Sequence, residues 1–439
     1  MTLPHVEEAA RSVPRTGDYD VIVCGSGPAG SAAAITAARA GARTLLLEAA
    51  GCLGGVWTSG LLTWILDGQQ KTGIMREIFQ RISGLSAAED PGGSRSFDPE
   101  AMKVLLETMC LEAGVTIRLH TRVCAGLTDD AGRIQAIFTE SKSGREAWAA
   151  QVFVDCTGDG DLAARLGATT ELGHPETGLM QPMSMLCLLA GTPSLDDKPY
   201  TIPRYDPRVS WLREEIRRGG HEPSYANPSM FGIRDGLATL MANHQYTVDG
   251  TNADDLTRAT LEARREVHAI INALKKAGPR WENLQLVATP AQIGVRESRR
   301  IRGRYVLNKD DLIKGARFDD GICRVFFPVD VHSLDPKKSK SLGNEGVTSR
   351  PYDVPLRSLI AAEFDNLLMA GRCISGDFFA HASYRVTGNA VAMGEAVGLL
   401  GAVATREACP PYQVSWDTYA PKLATIRGGA IIAEPAEVT

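Results

Sequence analysis

Apolar positions along the chain fall into short runs separated by glycine-rich turns. The first run, Tyr19-Asp-Val-Ile-Val-Cys24, is followed at once by glycines. Ser31 to Ala40 is then almost entirely small residues of helical propensity, and Arg43-Thr-Leu-Leu-Leu-Glu48 is a second apolar run. Strand, turn, helix and strand fit within about 30 residues, the size of one βαβ unit. Residues 1–18 read as a loose polar arm ahead of it.

Asp98-Pro99-Glu100 opens a helix. Asp98 can cap it, Pro99 suits the first helical position, and Glu100 favours the positive end of the dipole. Gly114 ends this helix, and Val115–Val123 returns as a strand. Ile134–Glu140 and Ala147–Asp155 predict a hairpin or meander leading into Cys156-Thr157-Gly158. From roughly 170 to 355 the chain is richer in Pro and Trp and has no nucleotide-like turn. Its clearest element is a helix over Asp254–Ala277, with Leu256, Thr260, Ala263, Val267, Ile270, Ile271 and Leu274 on one stripe. Lys275-Lys276 and Gly278-Pro279 close it. Asn366–Ala370 predicts a buried strand and Gly388–Ala404 a helix of small residues. Residues 411–439 read as a tail, Gly/Ala-rich from Gly428.

Composition narrows the class. At about 150 residues per domain, 439 residues predict two or three lobes. With 44% hydrophobic and 23% charged residues, disorder, coiled coil and collagen are excluded. A net charge of -5 argues against a nucleic-acid partner. No run reaches the length of a membrane span, and Met1 to Asp18 has no apolar core of a secretory signal. Nine scattered cysteines without a C-x-x-C pair read as reduced thiols, not disulfides or a zinc site, and predict a cytoplasmic protein. Glycine is the unusual count, at 44. Eight lie in residues 19–60 and six in 371–401, where backbone would approach a ligand without side chains in the way.

Gly25-Ser26-Gly27-Pro28-Ala29-Gly30 is G-x-G-x-x-G between a predicted strand and a predicted helix. Gly25 allows the tight turn, Gly27 lets backbone N–H groups approach a pyrophosphate, and Gly30 lets helix pack on strand. The helix N-terminus favours the phosphates, and Glu48 ends the next strand where it can hold ribose hydroxyls. This fingerprint alone leaves FAD and NAD both open.

The choice comes from resemblance. Tyr19–Glu48 resembles the N-terminal unit of the glutathione-reductase-type flavoproteins. Gly51-Cys-Leu-Gly54-Gly55-Val56-Trp57-Thr-Ser-Gly60 looks like the loop that passes the flavin in that superfamily, and Val115–Val123 like the strand that brings backbone to the adenine. Asp155-Cys-Thr157-Gly158-Asp159-Gly160-Asp161 is similar to its D-x-T-G-D-G-D segment. Arg296-Glu-Ser-Arg-Arg300, Gly371-Arg372-Cys-Ile-Ser375 and His381-Ala-Ser-Tyr-Arg385-Val386 match one branch, the FAD-dependent oxidoreductase family. The resemblance implies bound FAD and an α/β fold. An FAD-binding Rossmann-like domain with a parallel sheet and β-meander, 15–170 and 356–410, would carry a mixed α+β substrate domain, 171–355.

The flavin carries the redox chemistry, so candidate catalytic groups are those beside it. His381 can accept or relay a proton, and Arg385 can hold a substrate carboxylate or carbonyl; alternatively both secure the flavin loop. Five arginines from Arg296 to Arg304 suggest anion capture or, alternatively, a solvated face paired with nearby acids. On a strand over Val329–His332, Asp330 and His332 share one face and can pair for base chemistry. Trp57 and Trp64 line an aromatic pocket or pack in the core. The start of the Gly388–Ala404 helix can stabilise negative charge on the flavin.

The predicted activity is hydride transfer from a small organic substrate to FAD, with oxygen or another acceptor following, at a site between the lobes. No second G-x-G-x-x-G is present. A monooxygenase using NAD(P)H, or a flavin-binding assembly component, are the alternatives. A homo-oligomer is compatible with this reading.

Overall fold

The computed structural model describes residues 6, 8–82, 95–193 and 211–432. Strand β1 (Arg15–Cys24) leads through a glycine turn into helix α1 (Pro28–Arg39), and β2 (Thr44–Leu47) returns parallel to β1. Val21–Cys24 and all of β2 are buried, which is why they read as unbroken apolar runs. Residues 15–18, expected in the arm, are strand instead: Gly17 and Asp18 pair with Trp148 and Ala149. They are largely exposed, so no apolar pattern marks them.

Helix α2 (Pro99–Glu112) starts as its sequence predicts, the Asp98 carboxylate accepting from the N–H groups of Glu100 and Ala101. The single strand expected over Val115–Val123 is two strands. Strand β3 (Thr116–Arg118) joins β2 in parallel, whereas β4 (Arg122–Thr128) opens a meander with β5 (Ile134–Ser141) and β6 (Gly144–Asp155). His120, between them, takes φ +52 and donates its N–H to Ala50 O. The bend sends β3 and β4 to opposite ends of one sheet. Strand β6 serves both parts of that sheet. Its first half pairs with β5, and Val152–Asp155 lie parallel to Val21–Cys24.

A short helix α3 (Asp161–Arg165) follows, and the chain then builds a second core. Strand β7 (Cys187–Ala190), helix α4 (Trp211–Arg218), strands β8 (Ser229–Arg234) and β9 (Leu237–Met241), helix α5 (Ala253–Ala277) and strand β10 (Gln285–Ala288) form it, with the antiparallel order β8-β9-β7-β10. The predicted stripe of α5 buries Ala263, Val267, Ile270, Ile271 and Leu274 against this sheet and α4. Among the described residues the buried members of the second core fall between Met183 and Ile293. Leu307, Ile322, Val325, Val331 and Tyr352, expected in a substrate domain reaching 355, belong to the first core instead.

Strand β11 (Val331–His332) is shorter than the strand expected over Val329–His332. Strand β12 (Leu367–Met369) lies parallel to the second half of β6. Helices α6 (Phe378–Tyr384) and α7 (Thr387–Glu407) pack into the first core. A Cβ on Gly394 would fall 2.0 Å from Ala29 O, and one on Gly398 2.2 Å from Ala33 O. The backbones of α1 and α7 are therefore in contact, and these two glycines serve helix packing, not ligand approach.

The expected tail from 411 is likewise partly folded. Helix α8 (Trp416–Ile426) buries Tyr419 and Leu423, and the Tyr419 hydroxyl donates to Ala396 O at 2.9 Å. Beyond it the buried Arg427 guanidinium pairs with buried Glu395 of α7. The end of the tail, 433–439, lies outside the described residues, as do 1–5 and 7 of the arm. Among the described residues one helix, α7, is long and apolar enough to cross a membrane, and its apolar stretch is wholly buried inside the fold.

Candidate functional site

Space decides what the glycine turn is for. A Cβ on Gly25 (φ +92) would lie 2.5 Å from Cys156 O, and one on Gly30 would lie 1.8 Å from Gly25 O. The protein itself demands those glycines. A Cβ on Gly27 would meet nothing within 4 Å, so the fold does not itself require glycine there and leaves that space open. Gly27 caps α1 without a side-chain bond, Pro28 and Ala29 begin the helix, and no acid sits in its first turn. The N–H groups there present partial positive charge to an anion. The Glu48 carboxylate accepts from Ser26 N at 2.8 Å, Ser26 Oγ at 2.6 Å and Ala50 N at 2.7 Å. Of its roughly four lone-pair sites, one is left for a ribose hydroxyl.

Several of the other residues expected to hold the cofactor pack near this turn. Gly54 donates its N–H to Ser26 O at 2.9 Å, and a Cβ on Gly55 would lie 2.9 Å from Gly27 Cα. Gly55, Val56 and Trp57 form one 3-10 turn. The Asp155 carboxylate binds Thr157 N, Thr157 Oγ1 and Ala163 N, which shapes the Thr157–Asp161 loop. Gly158 takes φ +82, and Asp159 pairs with Arg372 at 2.9 Å. Gly371 (φ +93) places its Cα near Ala29 at the start of α1. Val123 is buried on β4, paired with Thr139 of β5.

Val386 caps α7, which has neither a side-chain cap nor an acid in its first turn. Trp57 Nε1, Arg372 Nη1, Thr387 Oγ1 and Asn389 Nδ2 are buried without hydrogen-bond partners. A bound group with phosphates and ring carbonyls would satisfy such atoms, so the residues fit FAD. Both tryptophans pack: Trp57 edge-on to Phe97, and Trp64 stacked on Phe231 across the junction of the two cores.

The expected Asp330–His332 pair is present, with His332 Nε2 3.4 Å from Asp330 Oδ2. It is part of a longer chain. His332 Nδ1 lies 3.0 Å from His244 Nε2, and His244 Nδ1 lies 3.2 Å from the Tyr246 hydroxyl. The Tyr225 ring lies against His244, tilted by 35° with centroids 4.1 Å apart. Arg385, at the end of α6, donates to Asp330 Oδ2 at 3.0 Å and to Asp330 O at 3.1 Å. The line joins the second-core segment 225–246 to the first core.

Counting donors fixes its sense. An ionised Asp330 has no proton to give, so His332 Nε2 carries the hydrogen towards it. Nδ1 then accepts, His244 Nε2 donates, and His244 Nδ1 is left to accept from Tyr246. Burial, then the nearby Arg296 charge, lowers both imidazoles, His332 to about 3, so both are neutral. The Tyr246 hydroxyl also lies 3.0 Å from Ser224 O, and its one proton serves one acceptor at a time.

The five arginines disperse. Arg296 donates to Pro182 O at 2.6 Å and reaches Met241 Sδ at 3.5 Å. Arg299 holds Asp159 O and Asp161, Arg300 makes a buried pair with Glu297, and Arg302 and Arg304 are exposed. His381, expected beside the flavin, is buried on α6 with Nδ1 unpartnered, and burial and Arg300 keep it neutral. His244, Tyr246 and Tyr225 escaped sequence reasoning, because no motif or periodicity ties residues 225–246 to 330–332.

Comparison with known proteins places the chain among flavoproteins. The digeranylgeranylglycerophospholipid reductase 2 of Methanopyrus kandleri is 28% identical over 165 residues, 35% of this chain and 40% of that protein. The chain spans less than half the length of the curated relatives it matches. A geranylgeranyl bacteriochlorophyll reductase-like protein from Thermoplasma acidophilum superposes with a TM-score of 0.52 at 11% identity, covering 93% of this chain and 83% of that one. The p-nitrophenol 4-monooxygenase of Pseudomonas putida does so with a TM-score of 0.51 at 10% identity, covering 96% and 91%. These two likenesses establish the fold, a Rossmann-like flavoprotein α/β architecture. The family model described as FAD dependent oxidoreductase matches residues 20–424, and the chain with its FAD-shaped turn belongs to that family of FAD-dependent enzymes.

Proposed function

We propose that the chain is a dehydrogenase or oxidase of a small organic molecule, acting where the two cores meet. When bound, FAD supplies the two-electron acceptor for a hydride and passes the electrons to oxygen or another acceptor. The Gly25–Gly30 turn and Glu48 would hold its adenosine and phosphates, with the backbone near Val123 beside the adenine. Gly54–Trp57, Thr157–Asp159, Gly371, Arg372 and Val386 would hold the rest. The start of α7, which has no side-chain cap and no acid in its first turn, would offer partial positive charge to a reduced flavin held there.

The observation that carries this reading is the Tyr246–His244–His332–Asp330 chain. Packing alone is served as well by apolar residues, and a buried polar line is costly unless fully satisfied. A proton given to the Tyr246 oxygen is matched by one passed in the same sense at each link, and it ends on Asp330. His332 has both nitrogens engaged, so it relays and does not touch the substrate. Arg385 braces Asp330, and His381 holds a neutral imidazole nearby.

The test is anaerobic mixing of the yellow protein with a panel of small alcohols, amines and acids. Bleaching of the flavin by one of them is expected. NAD(P)H consumption that a compound stimulates without itself bleaching the flavin would replace this reading with a monooxygenase. A colourless protein that cannot be reconstituted with FAD would overturn it.

A further inference from the structure

Arg296 has no use in the scheme above, and its surroundings are unusual for a guanidinium. Its bonded partners are a carbonyl oxygen and a thioether sulfur. Among the described residues no carboxylate lies within ion-pair distance of it. The ionisable groups facing it include Arg385, Asp330, Tyr225, Tyr246 and the two imidazoles of His244 and His332. Among the described residues Asp330 is the carboxylate that faces it, and Asp330 is already bonded to Arg385 and His332. With both histidines neutral, two guanidiniums face one carboxylate among the described residues, and Arg296 is the one of the two that has no carboxylate bonded to it. Arg300 and Glu297 next door cancel each other. Burial, and then the Arg385 charge, pull Arg296 down to about 10, which still leaves it charged at neutral pH.

A half-buried charge without a counter-ion is costly, and arginines so placed recognise planar anions. Of the five N–H donors of Arg296, two are used, so three remain for a ligand. From this geometry, and resting on the oxidoreductase reading above, we infer that the substrate is an organic monocarboxylate whose carboxylate is held by Arg296, beside the Tyr246 hydroxyl. One missing negative charge matches a carboxylate. A phosphate dianion would call for further cationic groups, and Arg385 is committed to Asp330. The anchor would set the oxidised carbon beside Tyr246, so that the hydroxyl or amine proton of a 2-hydroxy or 2-amino acid enters the relay there.

The test needs no turnover. The FAD-loaded protein is titrated at constant ionic strength with acetate, glycolate, lactate and benzoate, and with the matching uncharged amides. Inorganic phosphate is run alongside. The readout is the flavin visible difference spectrum. At least one carboxylate is expected to give a saturable change that its amide does not. Arg296→Gln should weaken it roughly ten- to a hundredfold, Arg296→Lys should weaken it less, and the exposed neighbour Arg302→Gln should leave it unchanged. Equal responses to acids and amides, wild-type binding by Arg296→Gln, or a response to phosphate alone would each overturn the inference. Carboxylate-dependent thermal stabilisation of the same proteins gives a second readout. It persists even if the protein holds no FAD, which separates failure of the anion site from failure of the flavin reading.

Discussion

Replacing Gly27 and Gly30 in turn by alanine separates what the turn owes to its own fold from what it owes to a ligand. The two positions are three residues apart and the substitution adds the same methyl group. At Gly27 that methyl meets no protein atom within 4 Å, and φ of −58° is ordinary for alanine. Removing glycine at a compatible position stabilises a fold by about 0.4–1 kcal/mol through the unfolded chain. The Gly27→Ala apoprotein should therefore melt at or slightly above the wild-type temperature. Its methyl would occupy the space that a pyrophosphate needs, and overpacking of one methyl costs about 1–3 kcal/mol. FAD affinity should fall roughly 5- to 150-fold.

At Gly30 the methyl lands 1.8 Å from the backbone oxygen of Gly25, which no rotamer change relieves. That variant should lose at least about 3 kcal/mol of stability, the upper end of overpacking. The assay is a thermal melt of each apoprotein, followed by titration with FAD read by flavin fluorescence. A Gly27→Ala protein that binds FAD like the wild type, or whose apoprotein is as destabilised as Gly30→Ala, would refute the assignment of that space to phosphate.

Three further outcomes are expected. Arg427→Ala strands the buried Glu395 carboxylate and should cost about 3–5 kcal/mol, seen as a lower urea midpoint; a loss below 1 kcal/mol would mean that α8 is not anchored there. His244, His332 and His381 are neutral in the fold, whereas an unfolded histidine protonates below about pH 6.5. The unfolded state then binds more protons, so their contribution is complete above that pH. It is lost as pH falls towards 3, at about 1.4 kcal/mol per unit for each. His244→Gln should flatten the pH dependence of the urea midpoint by one proton, and an unchanged slope would count against a neutral His244. Asp330→Asn removes the acceptor at the end of the relay and should slow substrate bleaching of the flavin by about a hundredfold or more at unchanged FAD content, checked by anaerobic stopped flow.

The nucleotide turn was legible because its logic is local. Strand, glycines, helix and Glu48 lie within 30 or so residues, and each has a separate steric or electrostatic reason. The meander and the α5 stripe were legible for the same cause, since a period of 2 or 3.6 is written along one element. The break at His120 was not, because a positive φ in a histidine leaves no mark on an apolar run. Nor was the course of Arg15–Asp18, whose exposed side chains say nothing of the backbone pairing beneath them. Asp330 and His332 could be paired from strand period, but their partner His244 comes from another core. The charge run from Arg296 to Arg304 looks uniform in sequence. Only the fold separates Arg299 and Arg300, which have acids, from Arg296, which has none.

The contact of α1 with α7 sets an order of events during synthesis. When the ribosome has made β1, α1 and β2, the small-residue face of α1 has nothing to lie against. The helix that covers it is encoded some 360 residues later, with Gly394 and Gly398 placed to meet Ala29 and Ala33. Strand β12, which flanks β6, is equally late. A nascent chain stopped before residue 387 therefore carries the whole phosphate fingerprint on a helix that α7 does not yet cover. The holoprotein can be expected to form only after the last quarter of the chain has left the ribosome, and cofactor loading would follow translation.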